Sequence, residues 1–305
     1  MPRFQAQLIP AMVTPFRRDG SVEHERLEQL ALHLIDHGCD GLLVNGTTGE
    51  SPTLTEEERL ENIRVVRAAV RHRNIPLMAG VGSNCTHKTV EEAKAAALLG
   101  VDALLVVVPY YNRPTQEGLF EHFRQVAQAV PDTEIVIYNI PSRSVVRMAE
   151  TTMARLHEQH PNVVGVKQSY PDMEAVSAIS ALLPPETWLT WCGDDALTLP
   201  MMACGAHGTV SVLAHLAGGA MQAMIRHVKA NQLAEAQALH YRLLPLAQGL
   251  FTLPNPTVVK ACLARLGFME LAYRSPMMPP SEEEFALVER VLSELQALPV
   301  VTVAG

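Results

Sequence analysis

Short aliphatic runs alternate with longer segments of helical periodicity through most of the chain. Eight runs have the length and β-branched content of strands: Leu8–Thr14, Gly41–Val44, Pro76–Ala79, Ala103–Val108, Glu134–Tyr138, Val163–Val166, Trp188–Trp191 and Gly208–Val212. The segments between them repeat apolar residues every three or four positions, as amphipathic helices do. Strands that alternate with helices predict an α/β protein with a parallel sheet. Eight such repeats in about 250 residues are typical of a (β/α)8 TIM barrel.

The sequence after the first predicted strand separates the barrel from a doubly wound open sheet. An open sheet usually carries a glycine-rich phosphate loop at that point. Here the residues are Val13-Thr-Pro-Phe16, which form no such loop. A capping box, Thr55-x-x-Glu58, opens the second predicted helix. These boundary signals favour the barrel.

The strand pattern ends near residue 230. Three amphipathic segments follow, at Gln232–Thr252, Pro256–Leu266 and Ser281–Leu295, and the last of them opens with the capping box Ser281-x-x-Glu284. We therefore predict a catalytic barrel over residues 1–230 and a C-terminal helical extension over residues 231–305. The last residues, Pro299–Gly305, are predicted to form a loose tail.

Composition and charge narrow the class of protein. The chain is 48% hydrophobic and 18% charged, which excludes a disordered protein. Its formal net charge of −8 argues against nucleic acid or an anionic membrane as the main partner. The five cysteines are scattered without a C-x-x-C pair, which indicates reduced thiols. With no signal-peptide pattern and no apolar run long enough for a membrane span, the sequence predicts a soluble cytoplasmic protein.

Lysine is scarce, so the position of each lysine is informative. The chain has five lysines and nineteen arginines. Lys167 directly follows the predicted strand Val163–Val166, and the carboxyl ends of barrel strands form the active-site face. Partial desolvation there disfavours the ammonium form, and a neutral amine can attack a carbonyl to form a Schiff base. The alternative is a lysine that extends to solvent at the rim.

Other strand ends carry residues with chemical potential. Thr47 and Thr48 lie between two glycines after the second strand and are suited to a small anion such as a carboxylate, or they are ordinary turn residues. Tyr138 ends the fifth strand and can transfer protons. Arg143 can clamp a carboxylate, or it pairs with a surface acid. Gly193-Asp-Asp195 is interpreted as a helix N-cap.

Taken in order, these segments resemble one family. Gly46-Thr-Thr-Gly-Glu-Ser, Pro109-Tyr-Tyr-Asn-Arg-Pro, Tyr138-Asn-Ile-Pro-Ser-Arg, Gly165-Val-Lys, Gly193-Asp-Asp and Gly208-Thr-Val-Ser occur in the order found in the dihydrodipicolinate synthase / N-acetylneuraminate lyase family of class I pyruvate aldolases. The resemblance extends from the first strand to Asn255-Pro-Thr. Val145 stands where many synthases carry glycine.

The resemblance implies a catalytic role for four residues. Lys167 would form the Schiff base with pyruvate, and Tyr138, Thr48 and Tyr111 would form a proton relay. In this family the residue that matches Tyr111 comes from a neighbouring subunit, within a homotetramer built as a dimer of dimers. No metal or organic cofactor is expected, because the protonated imine itself serves as the electron sink.

The resemblance also implies a set of substrate-binding residues. Thr47 and Thr48 would hold the pyruvate carboxylate, and the backbone near Val210 would line the same pocket. Arg143 resembles the arginine that grips the carboxylate of aspartate semialdehyde in the synthase branch. The expected reaction is therefore the condensation of pyruvate with L-aspartate-4-semialdehyde to 4-hydroxy-tetrahydrodipicolinate in lysine (diaminopimelate) biosynthesis.

Two other functions stay open from the sequence. One is an aldolase of the same family that cleaves a 2-keto-3-deoxy sugar acid or an N-acetylneuraminate-type substrate. The other, from a different class, is a catalytically silent barrel that binds a ligand. A further expectation concerns regulation: lysine-inhibited synthases tend to have histidine at the positions of Glu56 and Arg59 and an acid at the position of Lys88. The resemblance thus implies an enzyme insensitive to L-lysine.

Overall fold

The computed structural model describes residues 1–298, so the predicted tail at 299–305 lies outside the described residues. The strands are β1 Leu8–Pro10, β2 Leu42–Val44, β3 Leu77–Val81, β4 Ala103–Val107, β5 Glu134–Asn139, β6 Val163–Gln168, β7 Leu189–Cys192 and β8 Gly208–Ser211. The helices are α1 His24–Asp36, α2 Glu56–Val70, α3 Thr86–Ala97, α4 Gln116–Ala129, α5 Pro141–Ser144, α6 Glu150–Gln159, α7 Met173–Leu182, α8 Thr198–Ala203, α9 Ala214–Lys229, α10 Leu233–Leu250, α11 Thr257–Arg265 and α12 Phe285–Gln296.

The strands form the predicted (β/α)8 barrel. Within residues 1–298 one sheet has eight strands in the order β1-β8-β7-β6-β5-β4-β3-β2. The pairs from β3 to β8 are parallel, and a parallel bridge between Ala11 and Leu43 joins the ends of the series. Because this bridge joins the two end strands and helices lie between successive strands, the barrel is confirmed and the doubly wound open sheet is wrong.

The chain packs as two compact units. One comprises Met1–Ala6 and Pro76–Val210, and the other comprises Gln7–Ile75 and the chain from Ser211 onward. Helices α10, α11 and α12 match the three amphipathic segments predicted after residue 230. The division of the chain at 230/231 into a barrel and an extension stays a prediction.

Three carboxylates, one buried and two half-buried, accept backbone hydrogen bonds near the starts of strands. Asp40 accepts hydrogen bonds from the two backbone N–H groups that lead into β1, at 2.9 and 2.7 Å. Asp102 accepts the N–H that begins β3, at 2.8 Å. Glu134, the first residue of β5, accepts the N–H groups of Arg3 and Phe4, at 2.6 and 2.8 Å. These bonds satisfy backbone donors at the amino-terminal ends of the strands, the end opposite the expected active site.

Both predicted capping boxes form. The Thr55 hydroxyl accepts the Glu58 N–H while the Glu58 carboxylate accepts the Thr55 N–H, directly before α2. Ser281 and Glu284 exchange the same two hydrogen bonds. Helix α12 itself begins one residue later, at Phe285. The local sequence therefore determines how these two helices begin.

Candidate active site

Lys167 is buried beside Tyr138. Lys167 lies near the carboxyl end of β6, in register with Tyr138 on β5, and only 6% of its surface is exposed. Its Nζ lies 4.3 Å from the centroid of the Tyr138 ring. This burial excludes the alternative of a lysine that extends to solvent at the rim. The structure therefore brings together the amine and the phenol that the sequence selected.

Gly193 makes room for the Lys167 side chain. A Cβ atom at position 193 would lie 2.9 Å from Lys167 Cε and would overlap Ser169 Oγ. The N-cap predicted within Gly193-Asp-Asp195 is confirmed. The capping residue is Asp194, whose carboxylate accepts the Ala196 N–H at 3.1 Å. The steric role of Gly193 was missed by the sequence interpretation, although a glycine directly after β7 at the barrel mouth was a usable signal.

Asn139 connects the ends of β5 and β6. Its side chain is fully buried and donates to Gln168 Oε1 at 3.3 Å and to the Met148 carbonyl at 3.1 Å. Its Oδ1 accepts the Met148 N–H at 3.0 Å. Because Asn139 and Gln168 directly follow Tyr138 and Lys167, this network fixes the relative position of the phenol and the amine.

Arg143 lies on α5 at the carboxyl end of the barrel strand β5. The side chain is exposed, and within residues 1–298 it forms no salt bridge, so the alternative of a pair with a surface acid is wrong. The helix ends at Val145, which has φ +65° and is 59% exposed. The Ser144 hydroxyl lies 2.9 Å from the Ile140 carbonyl and 2.6 Å from the Val146 carbonyl, so its one proton can be donated to either of them within this turn.

The remaining two predicted residues of this unit differ in exposure. Tyr111 lies on the loop after β4, has φ +73° and is 85% exposed. Most of the Tyr111 side chain is therefore not packed against the described part of the chain. Val210 is buried within β8.

In the other unit, Thr47 and Thr48 begin a single 3₁₀ turn, Thr47–Gly49. Thr48 is buried, and its Oγ1 accepts a hydrogen bond from Asn255 Nδ2 at 2.9 Å. Thr47 is half-buried. A Cβ on Gly49 would lie 3.0 Å from the Met12 carbonyl oxygen, so the turn packs tightly against the chain that follows β1.

A buried ion pair holds the residue after this turn. Glu50 has φ +53°, and its Oε1 lies 2.5 Å from Lys260 Nζ on α11. Its Oε2 accepts the backbone N–H of Arg274 at 3.1 Å. The ammonium also lies over the rings of Phe16 and Tyr273, at 4.3 and 4.9 Å from their centroids.

Burial has a measurable effect on Lys260. The side chain has no exposed surface, and this desolvation lowers its pKa from 10.5 to about 8, although the adjacent Glu50 carboxylate opposes the shift. No role for Lys260 could be assigned from the sequence. Its rarity as one of five lysines was the only signal that could have found it.

Residues 1–298 contain neither a candidate metal-binding cluster nor a candidate membrane-spanning helix. No three His, Cys, Asp or Glu side chains there are grouped so that they could hold a metal ion. None of the helices in that range combines the length and the apolar character required to cross a bilayer.

A buried lysine beside a tyrosine, at the carboxyl ends of adjacent barrel strands, defines the class of protein as a lyase of the class I aldolase type. The sequence model of the Dihydrodipicolinate synthetase family matches residues 5–295, and the chain belongs to this family. The expected family is therefore confirmed. The expected place in lysine and diaminopimelate biosynthesis is supported by relatives named 4-hydroxy-tetrahydrodipicolinate synthase.

Individual relatives are similar to this chain over nearly its whole length. A 4-hydroxy-tetrahydrodipicolinate synthase from Synechococcus elongatus is 45% identical over 289 residues, which are 95% of this chain and 96% of the relative. The DHDPS of Cyanidioschyzon merolae with lysine bound has a TM-score of 0.94 at 39% identity, covering 97% of this chain and 99% of that one. The chloride-inhibited dihydrodipicolinate synthase of Acinetobacter baumannii complexed with pyruvate has a TM-score of 0.92 at 34% identity, covering 96% and 100%.

Proposed function

We propose that the chain condenses pyruvate with L-aspartate-4-semialdehyde to 4-hydroxy-tetrahydrodipicolinate, with Lys167 as the nucleophile. The observation that carries this proposal is the burial of Lys167 with its Nζ 4.3 Å from the Tyr138 ring. The relatives named 4-hydroxy-tetrahydrodipicolinate synthase support it. The Acinetobacter baumannii relative, whose structure is complexed with pyruvate, supports pyruvate as the first substrate.

The chemistry follows from what a neutral amine can do. Lys167 Nζ attacks the keto carbon of pyruvate, and loss of water leaves an imine. Protonated, the imine withdraws electrons, so a base can remove a methyl proton and leave an enamine. The enamine carbon then bonds to the aldehyde carbon, and the aldehyde oxygen takes up a proton. The amino group of the aldehyde substrate attacks the re-formed imine carbon, which closes the ring and releases the Lys167 amine. Tyr138, Thr48 and Tyr111 are the residues we propose to move these protons.

Substrate binding is assigned to the remaining residues. Thr47 and Thr48 would hold the pyruvate carboxylate, and the backbone near Val210 would line the pocket. Arg143 would grip the carboxylate of the aldehyde. The absence of a salt bridge at Arg143 within residues 1–298 supports this, because its guanidinium keeps its donors for an incoming carboxylate.

Borohydride trapping tests the nucleophile. The protein is incubated with pyruvate, reduced and digested, and the modified lysine is located by mass spectrometry. We expect the adduct on Lys167 and none in Lys167→Arg, because arginine is not deprotonated in proteins. Lys94→Arg, at an exposed helix position, is the matched control and should keep the adduct. An adduct on another lysine, or on none, would contradict the proposal and favour a ligand-binding barrel.

The second substrate is tested at Arg143. Turnover of Arg143→Ala with aspartate semialdehyde should fall by about 100-fold, mostly through KM, because a bidentate carboxylate bond is lost. Arg26→Ala, at an exposed position of α1, is the control. If Arg143→Ala retained full turnover with aspartate semialdehyde, the sugar-acid aldolase would become the better assignment.

We further propose that the enzyme is a homotetramer, built as a dimer of dimers, in which Tyr111 serves the neighbouring subunit. The 85% exposure of Tyr111 in the single chain supports this. Mixing inactive Tyr111→Phe and Lys167→Ala proteins after dissociation should restore part of the activity, since hybrid assemblies contain some complete sites. No recovery in assemblies whose hybrid composition is verified by mass spectrometry would contradict donation between subunits.

A further inference from the structure

Thr48 receives a hydrogen bond that determines what its hydroxyl can do. The donor is Asn255 Nδ2, 2.9 Å from Thr48 Oγ1, and both side chains are buried. A hydroxyl has one proton and two acceptor lone pairs. Because one lone pair accepts from Asn255, the Thr48 proton points away from Asn255 and is free to be donated elsewhere.

The bond is held from both sides by the surrounding chain. Thr48 lies in a 3₁₀ turn whose next residue, Glu50, is fixed by Lys260 Nζ and by the Arg274 N–H. Asn255 lies two residues before α11, the helix that carries Lys260. One segment, residues 255–260, thus contacts both the turn and the residue after it. Asn255 binds the Thr48 hydroxyl, and Lys260 binds the Glu50 carboxylate.

We propose that Asn255 is a positioning residue that keeps the Thr48 hydroxyl in the donor orientation required for proton transfer. This inference rests on the proposed function, since it concerns the proton transfer assigned there to Thr48. Asn255 itself touches neither substrate nor a reacting atom in this proposal. Its side chain acts only through Thr48.

The substitution Asn255→Asp tests the direction of the hydrogen bond. It keeps the size of the side chain, but an ionised carboxylate only accepts hydrogen bonds. The Thr48 proton would then turn toward position 255 and be lost to the relay. Asn255→Leu, of similar shape, removes the donor without adding an acceptor. Asn231→Asp, at an exposed turn, controls for the change of chemistry.

The assay is the exchange of pyruvate methyl protons with D2O, followed by proton NMR. It reports proton removal from the imine and needs no second substrate. We expect Thr48→Val to slow the exchange by about 100-fold and Asn255→Asp by at least about tenfold, with Asn255→Leu between wild type and Asn255→Asp. The KM for pyruvate should change less than the exchange rate.

The decisive measurement is a double-mutant cycle. If Asn255 acts only through Thr48, Asn255→Asp will have no further effect on exchange in the Thr48→Val background. Additive losses would show a general structural role and overturn the proposal. Near wild-type exchange in Asn255→Asp would also overturn the proposal. It would mean that a Thr48 proton turned toward position 255 does not hinder proton removal. If the Asp variant does not fold, the same cycle with Asn255→Leu decides.

Trapping keeps this inference separate from the proposed function. Wild-type protein that forms no borohydride-stable adduct with pyruvate at Lys167 refutes the proposed function itself. Wild-type protein that forms the adduct, combined with additive effects in the cycle, refutes only the role of Asn255.

Discussion

Lys260 offers a direct test of how the Thr47–Gly49 turn is stabilised. In Lys260→Met the side chain keeps a similar length and apolar stem, so the packing against Phe16 and Tyr273 is largely retained. What is lost is the ammonium 2.5 Å from Glu50. Glu50 is then a buried carboxylate that keeps the hydrogen bond from the Arg274 N–H but has lost its counter-charge.

The expected loss is large. Removing one partner of a buried ion pair costs about 3–5 kcal/mol, because the other charge stays buried without compensation. Replacing both partners costs much less than the sum. Urea unfolding at fixed protein concentration should therefore show Lys260→Met destabilised by about 3–5 kcal/mol, and Lys260→Met/Glu50→Gln recovering at least about 2 kcal/mol of that loss.

The Lys260–Glu50 pair also predicts how the free energy of unfolding depends on pH. Burial lowers the pKa of Lys260 from 10.5 to about 8, so between those values the unfolded chain binds more protons than the folded one. The free energy of unfolding of the wild type should then rise with pH relative to Lys260→Met, by up to about 3 kcal/mol. Near pH 7, below both pKa values of Lys260, the difference between the two proteins should change little with pH.

Two results would refute this reasoning. A loss below about 1 kcal/mol in Lys260→Met would mean that the ion pair does not stabilise the turn. Equal losses in Lys260→Met and in the double variant would mean that no uncompensated charge remained after the single change. The exposed pair Lys94–Glu91 is the matched control, and Lys94→Met should cost under about 1 kcal/mol.

Three further predictions concern other positions. Gly193→Ala should abolish borohydride trapping, because its Cβ would displace Lys167 Cε; unchanged trapping would contradict the steric role of Gly193. Val145→Gly should raise the free energy of unfolding by up to about 1 kcal/mol, because a β-branched residue with φ +65° is strained, and a lower value in urea unfolding would count against that strain. L-Lysine at low millimolar concentration should leave turnover unchanged in a coupled assay, because Lys88 is a cation where an acid would receive the effector's ammonium; strong inhibition would contradict this.

The strand and helix pattern predicted the barrel and the position of Lys167, the proposed nucleophile, at the end of a strand. Lys167 could be selected because it directly follows an aliphatic run, which is visible in the neighbouring residues alone. Tyr138 could be selected for the same reason, since it ends the fifth predicted strand. The predicted sixth strand ended too early, at Val166, because Lys167 and Gln168 are polar. In the structure both belong to β6, since side chains at the carboxyl end of a barrel strand can be polar and buried together.

The contacts of Asn255 and Lys260 could not be predicted in the same way. They lie 207 and 210 residues from their partners, Thr48 and Glu50, and no local periodicity carries such a separation. The positive φ values of Glu50 and Val145 are equally hidden, because neither is a glycine. These features depend on the tertiary structure, which imposes a backbone conformation that local preference alone would disfavour.

The carboxylates at the strand starts have a consequence for how such an enzyme can evolve. Asp40, Asp102 and Glu134 hold backbone N–H groups at the amino-terminal ends of the strands, whereas Lys167 and Tyr138 lie at the carboxyl ends. Substitutions in the loops at the carboxyl ends leave the bonds that fix the strand starts intact. Variants of this chain can therefore change substrate specificity through those loops, while the three acids continue to stabilise the barrel from its other end.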